Sequence, residues 1–127
     1  MSYYFSKTLH ITFDAAITRI TEELKKEGFG ILTEIDIKKA MKKKLDVEFR
    51  PYKILGACNP PFAYQALQAE DKIGTMLPCN VIVQEGDGGV EVAAVDPIAS
   101  MVAVNNPKLA DIATQVQAKL RKVIENL

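Results

Sequence analysis

At 127 residues, 48% hydrophobic and 25% charged, the chain has the size and composition of one folded domain, able to bury roughly two-thirds of the surface its unfolded form exposes. Sixteen basic residues balance sixteen acidic ones, which removes the long-range attraction on which nonspecific nucleic-acid binding depends. No stretch is long and apolar enough to cross a bilayer, and Met1-Ser2-Tyr3-Tyr4-Phe5 lacks the charged and apolar regions of a secretory signal. The expectation is a cytoplasmic domain, with no membrane and no nucleic-acid partner, whose two cysteines are thiols in a reducing compartment.

Phe5, Lys7, Leu9, Ile11 and Phe13 alternate with Tyr4, Ser6, Thr8, His10 and Thr12, the period of a half-buried strand. Thr12 is placed to cap a helix over about 13–27, in which Ala16, Ile17, Ile20 and Leu24 recur at helical spacing until Gly28 ends it. Residues 30–36 read as a second strand, with Ile31, Thr33 and Ile35 on one side and Leu32, Glu34 and Asp36 on the other. Asp36 also suits the N-cap of a short helix whose stripe of Ile37, Ala40, Met41 and Leu45 is flanked by lysines.

A third strand over 52–58 runs into Asn59, a favoured N-cap, and Pro60, whose missing N–H costs nothing at the first helical position; a helix over about 60–69 follows. Residues 77–85 and 90–95 flank Gly86-Asp87-Gly88-Gly89 and form a hairpin. Asp96-Pro97 and Asn106-Pro107 repeat the cap-then-proline pattern, predicting a short helical segment near 97–104 and then a long helix. The latter keeps Leu109, Ile112, Ala113, Val116, Leu120, Val123, Ile124 and Leu127 on one stripe. With no repeat or linker to divide it, the chain is a single α+β domain over 1–127: a mostly antiparallel, curved, five-stranded sheet with helices on one face.

Glu34-Ile35-Asp36, Lys44, Ile54-Leu55-Gly56-Ala57-Cys58-Asn59-Pro60, Ile73-Gly74 and Leu77-Pro78-Cys79-Asn80-Val81 together resemble a prokaryotic family, domain of unknown function family three-hundred-and-two. The likeness runs from about Phe5 to the final helix. It implies a fold like the half-domain of the TATA-binding protein and a homodimer. It implies no activity, and fold alone gives no licence to infer DNA binding.

Cys58 and Cys79, the only cysteines, read either as small core residues or as reactive groups, since the thiolate serves as nucleophile, redox partner or metal ligand. Cys58 is the stronger nucleophile candidate because it stands at a helix entrance, where Asn59 is expected to cap with its side chain and free N–H groups would stabilise a thiolate. Cys79 shares the parity of Leu77, Val81 and Val83, which points it to the core or to a resolving role. Lys44 falls on the apolar stripe of its helix, so it either extends its stem along apolar surface or pairs with Glu34 or Asp36, a set able to bind a polar ligand.

A metal would have to draw on Cys58, Cys79 and the sole histidine, His10, which lies on the polar parity of its strand; no metal or cofactor is assigned. The glycine run at 86–89 precedes a strand and not a helix, so it makes a turn and not a phosphate loop. Three functions follow from these residues. The first is a homodimeric small-molecule-binding domain with a polar-edged pocket formed by Glu34, Lys44, Cys58, Asn59 and Cys79. The second is a thiol enzyme or redox sensor using Cys58 and Cys79, and the third is a structural or partner-binding dimer without a site.

Overall fold

Alternation along the strands decides which face of the sheet is covered. In the computed structural model, which describes residues 2–127, the strands are β1 (Tyr4–Leu9), β2 (Gly30–Asp36), β3 (Tyr52–Cys58), β4 (Cys79–Gly86) and β5 (Gly89–Val95). They form one sheet in the order β1-β5-β4-β3-β2, and every neighbouring pair is antiparallel. The helices are α1 (Phe13–Lys26), α2 (Ile37–Leu45), α3 (Pro60–Ala69), α4 (Pro97–Ser100) and α5 (Pro107–Glu125), with a single 3-10 turn at Ile73–Met76.

One parity of the strands supplies Leu9, Leu55, Ala57, Val81, Val83, Val90, Val92 and Ala94 to the main core, where they meet Ala16, Ile20 and Leu24 of α1 and Val116, Leu120, Val123 and Ile124 of α5. Burial of each large aliphatic side chain stabilises the fold by roughly 1.5–3 kcal/mol. Lys7 shares this inward parity, and its ammonium donates to the carbonyls of Leu127 (2.6 Å) and Glu125 (3.1 Å). A cation there satisfies carbonyls that the end of α5 leaves open and complements the helix dipole.

The other parity is aligned across the whole sheet. Ser6, Ala93, Ile82, Ile54 and Ile35 are successive register partners from β1 to β2. These residues enter neither core cluster, and Ile35 is 48% exposed.

The structure differs from the sequence-based expectation at β2. The register shifts between Ile31 and Thr33, so Ile31 pairs with Ala57 while Thr33 and Ile35 pair with Gly56 and Ile54. An extra residue reverses parity beyond it; Ile31 therefore parts from Thr33 and Ile35, and Leu32, the residue at the shift, is 67% exposed. The segment expected over 97–104 shortens to α4, and the turn at 73–76 was too short to leave a periodic signal.

Four of the five expected caps accept as their sequence suggests: Thr12 from Ala15 N–H (3.1 Å), Asp36 from Lys39 (3.0 Å), Asp96 from Ile98 (3.0 Å) and Asn106 from Lys108 (3.0 Å). Asn59 occupies the N-cap position of α3 but makes no side-chain cap. The reason is chemical. Asp96 and Asn106 each bond the second helical residue, which at Asn59 is Pro61 and has no N–H to give. The Asn59 amide turns instead to α1, donating to the Glu27 carbonyl at 3.1 Å.

Gly56 is fixed by close approach. A Cβ at that position would collide with Thr33 Oγ1 and stand 2.7 Å from Pro78 Cγ. Gly56→Ala is expected to destabilise the fold by about 1–3 kcal/mol, the range for overpacking, and Thr33→Ala in the same chain should return part of the loss. Denaturant titration of the two single variants and the double variant checks the coupling; strictly additive losses would remove the steric explanation.

Candidate functional site

A second, smaller cluster, made by Ala66 of α3, Ile73 and Leu109 of α5, meets the main core through Ile112, which packs against both. Between the two lies a cleft of about 310 Å³. The α3 side is a stripe of Phe62, Ala63, Ala66 and Leu67, and the α5 side is the stripe of Leu109, Ile112, Ala113 and Val116. Phe29 and the bulged Leu32 approach from β2, while Ala57, Cys58 and Asn59 come from the end of β3 and Leu77, Pro78 and Cys79 from the start of β4. Pro97 and Met101 complete the lining at the α4 end.

Two asparagines hold α3 over this gap. Asn59 ties its start to the Glu27 carbonyl at the end of α1 (3.1 Å), and Asn106 ties its end to α5 by donating to the Ala69 carbonyl (2.8 Å) and to Glu70 Oε1 (3.3 Å). Gly28, at φ +86°, makes the turn after α1 and brings its backbone against the Asn59 amide, where a Cβ would lie 3.1 Å from Nδ2. A side chain would be strained there by conformation and by contact.

The sequence-predicted residues divide into two groups. Cys58, Asn59 and Cys79 all line the cleft; Cys58 is half-buried, Cys79 is buried, and both are free thiols. Glu34 and Lys44 are not among the lining residues. Glu34 pairs with Lys53 across the β2–β3 ladder at 2.6 Å, and this carboxylate holds the Lys53 ammonium above its ordinary range.

Lys44 is exposed, as is Leu45 beside it at 65%. The stripe on α2 buries only as far as Met41, so its last turn lies in solvent and the lysine has no apolar surround to escape. The cleft is consequently apolar where a polar edge was expected: apart from the two thiols, Asn59 contributes its only polar side chain, and no charged residue lines it.

The entrance to α3 is also poorer in donors than its position suggests. Pro60 and Pro61 occupy the first two helical positions, which leaves Phe62 as the first residue of the helix with an N–H. Burial, and then the neighbouring Cys58, push the Cys79 thiol up to about 11. His10 is exposed just beyond Leu9, which pairs with Val90 and so lies level with Glu85 on β4, whereas Cys79 sits six residues away beside Ala57. At about 3.3 Å per residue that is roughly 20 Å, and among the described residues no three His, Cys, Asp or Glu side chains gather as a metal site.

Sequence reasoning did not find Phe62, Met101 or the α5 stripe as cleft residues. The apolar periodicity of α3 and α5 was legible, but it reads as core whether or not the facing stripes touch. No helix among the described residues is long and apolar enough to cross a membrane.

The family model described as "Domain of unknown function DUF302" matches residues 5–127, and the chain belongs to that family. It is similar to a crystal structure of "uncharacterized conserved protein DUF302" from Bacillus stearothermophilus, at 26% identity and a TM-score of 0.91, with 98% of each chain covered. No curated protein matches the sequence.

The burial of Cys79 has a consequence in alkaline solution. Unfolding frees a thiol that ionises at its ordinary 9.0, whereas the folded chain holds the proton to about 11. Between those values the unfolded chain binds fewer protons, so stability falls as pH rises, by roughly 2–3 kcal/mol in all, and the term is fully present below pH 9. Lysines and tyrosines titrate in the same window, so the measurement is a comparison: denaturant midpoints of wild type and Cys79→Ala at pH 8 and pH 11.5. Cys79→Ala should lose less stability over this interval, and equal losses would refute the assignment.

Proposed function

We propose that the protein is a cytoplasmic homodimer that binds a small apolar molecule in the cleft between β3, α3 and α5. The observation that carries this reading is the lining itself: a space of about 310 Å³ with walls from three strands and three helices and no charged side chain. Water in such a space finds few hydrogen-bond partners, and the side chains around it lack contacts on one side. A ligand that fills it restores those contacts. Cys58, Asn59 and Cys79 are the residues of the original site that this proposal retains, as wall groups.

A redox reading draws on the presence of both thiols at one cleft. It is the weaker of the two, because a resolving thiol attacks as thiolate and a thiol at about 11 is ionised to only about one part in ten thousand at pH 7. The dimer rests on the family resemblance and on the uncovered sheet face, where Ala93, Ile82, Ile54 and Ile35 form an apolar row across four strands. Two sheets that pack face to face need such a row, and a chain of net charge zero does not repel its copy.

Two outcomes are expected. Saturation with a small hydrocarbon such as toluene, at a hundred times its dissociation constant, should stabilise the fold by about 2.7 kcal/mol and raise the melting temperature by about 10 °C. Ala66→Leu, which fills the cleft from α3, should abolish the shift; a shift that survives the filling would place the ligand elsewhere. Light scattering should return twice the 14.0 kDa chain mass, and Ile82→Lys should return the single-chain mass with the helical signal intact. A single-chain mass for wild type would end the dimer proposal and leave the cleft untouched.

A further inference from the structure

From the composition of the cleft wall we infer that its ligand is a neutral, flat molecule of about two fused aromatic rings; this rests on the cleft being a ligand site at all. Charge is the first restriction. No Lys, Arg, His, Asp or Glu lines the cleft, and one of the two N–H groups of the Asn59 amide already serves the Glu27 carbonyl, so the wall offers an ion no opposite charge. A carboxylate, ammonium or phosphate inside would be desolvated without a partner, which disfavours it strongly. Fatty acids, amino acids and nucleotides therefore do not suit the site.

Size is the second restriction. A cavity of about 150 Å³ lined by aliphatic and aromatic side chains holds one benzene, and this one is about twice that. Two rings fill it.

Wall chemistry is the third restriction, and it favours rings over an alkyl chain of equal volume. Phe29 and Phe62 present aromatic faces or edges, and sulfur comes from Cys58, Cys79 and Met101. Rings pair favourably with rings and with sulfur at their edges. The facing helices contribute three alanines among their larger residues, Ala63 and Ala66 from α3 and Ala113 from α5, and these short side chains leave the room that a flat molecule needs. A rigid plate also loses no internal rotors on binding, whereas an alkyl chain loses several.

The chain contains no tryptophan, which leaves the naphthalene fluorescence of a probe unobscured. Binding of 2-naphthol is to be measured by that fluorescence, in parallel with 2-naphthoate and 1-octanol, the last two by competition, at pH 7. Alkylation of Cys58 by iodoacetamide reports occupancy independently. The expected result is saturable binding of 2-naphthol, at least tenfold protection of Cys58 from alkylation, affinity at least a hundredfold lower for 2-naphthoate and at least tenfold lower for 1-octanol.

Ala63→Leu, on the partly exposed side of α3, should weaken 2-naphthol at least tenfold in a chain that still melts cooperatively. Equal or tighter binding of 1-octanol would overturn the aromatic class while leaving an apolar ligand site in place. Equal binding of 2-naphthoate would overturn neutrality in the same way. If none of the three probes binds saturably or protects Cys58, both this inference and the ligand-binding reading of the cleft fail.

Discussion

A single buried amide organises the site. Among the described residues Asn59 is the only polar or charged one classed as buried, and its donor is committed to the Glu27 carbonyl. That one bond joins three elements: the end of α1, the end of β3 and the start of α3. An amide left without a partner in such a position costs the fold about 1–3 kcal/mol, so the bond constrains geometry as well as adding to stability. Pro61 has no N–H for the Asn59 oxygen to cap, and the amide acts through its donor alone. The start of α3 is thus anchored by its neighbour and not by its own cap.

The cleft follows from where that anchor holds α3. Asn59 fixes one end against α1, and Asn106 fixes the other against α5, so the helix borders the cleft along its length. Its cleft-facing stripe combines one aromatic and one leucine with two alanines, and of these Ala66 meets Leu109 of α5 in the smaller core cluster. The same end of the sheet is shaped by Gly56, which admits Pro78, and by the shift in β2, which brings Leu32 to the edge of the cleft. Interiors ordinarily pack to the density of organic crystals. The cleft departs from that density, and the two asparagine bonds fix the ends of the helix that borders it.

Much of this was legible before any coordinates. The bounds of β2, β3 and α3 follow from alternation and from the Asn59-Pro60 punctuation, and the caps at Thr12, Asp36, Asp96 and Asn106 follow from residue type and position. What escaped is what depends on partners distant in sequence. The parity of β2 reverses because of one extra residue, which no local pattern announces. Lys44 sits on an apolar stripe by angle, but whether a stripe is buried depends on how far the sheet extends beneath it. Asn59 looked like a cap because the rule considers the residue and not the missing N–H two positions on. For the site, Cys58, Asn59 and Cys79 were found from their flanking prolines, while Glu34 and Lys44 were grouped with them for lack of any sign that Lys53 stands closer to Glu34.

The thiols acquire their meaning from the cleft and not from each other. A redox pair is ordinarily activated by a nearby cation, a histidine or a helix entrance rich in N–H groups. This site supplies none of these: the lining carries no positive side chain, His10 lies far along the sheet, and two prolines occupy the helix entrance. Burial moves Cys79 in the opposite direction. The surroundings that suppress a thiolate are the same ones that would exclude a charged ligand, since both reflect a region where an ion is poorly solvated. The apolar wall and the raised pKa of the Cys79 thiol are thus one physical property.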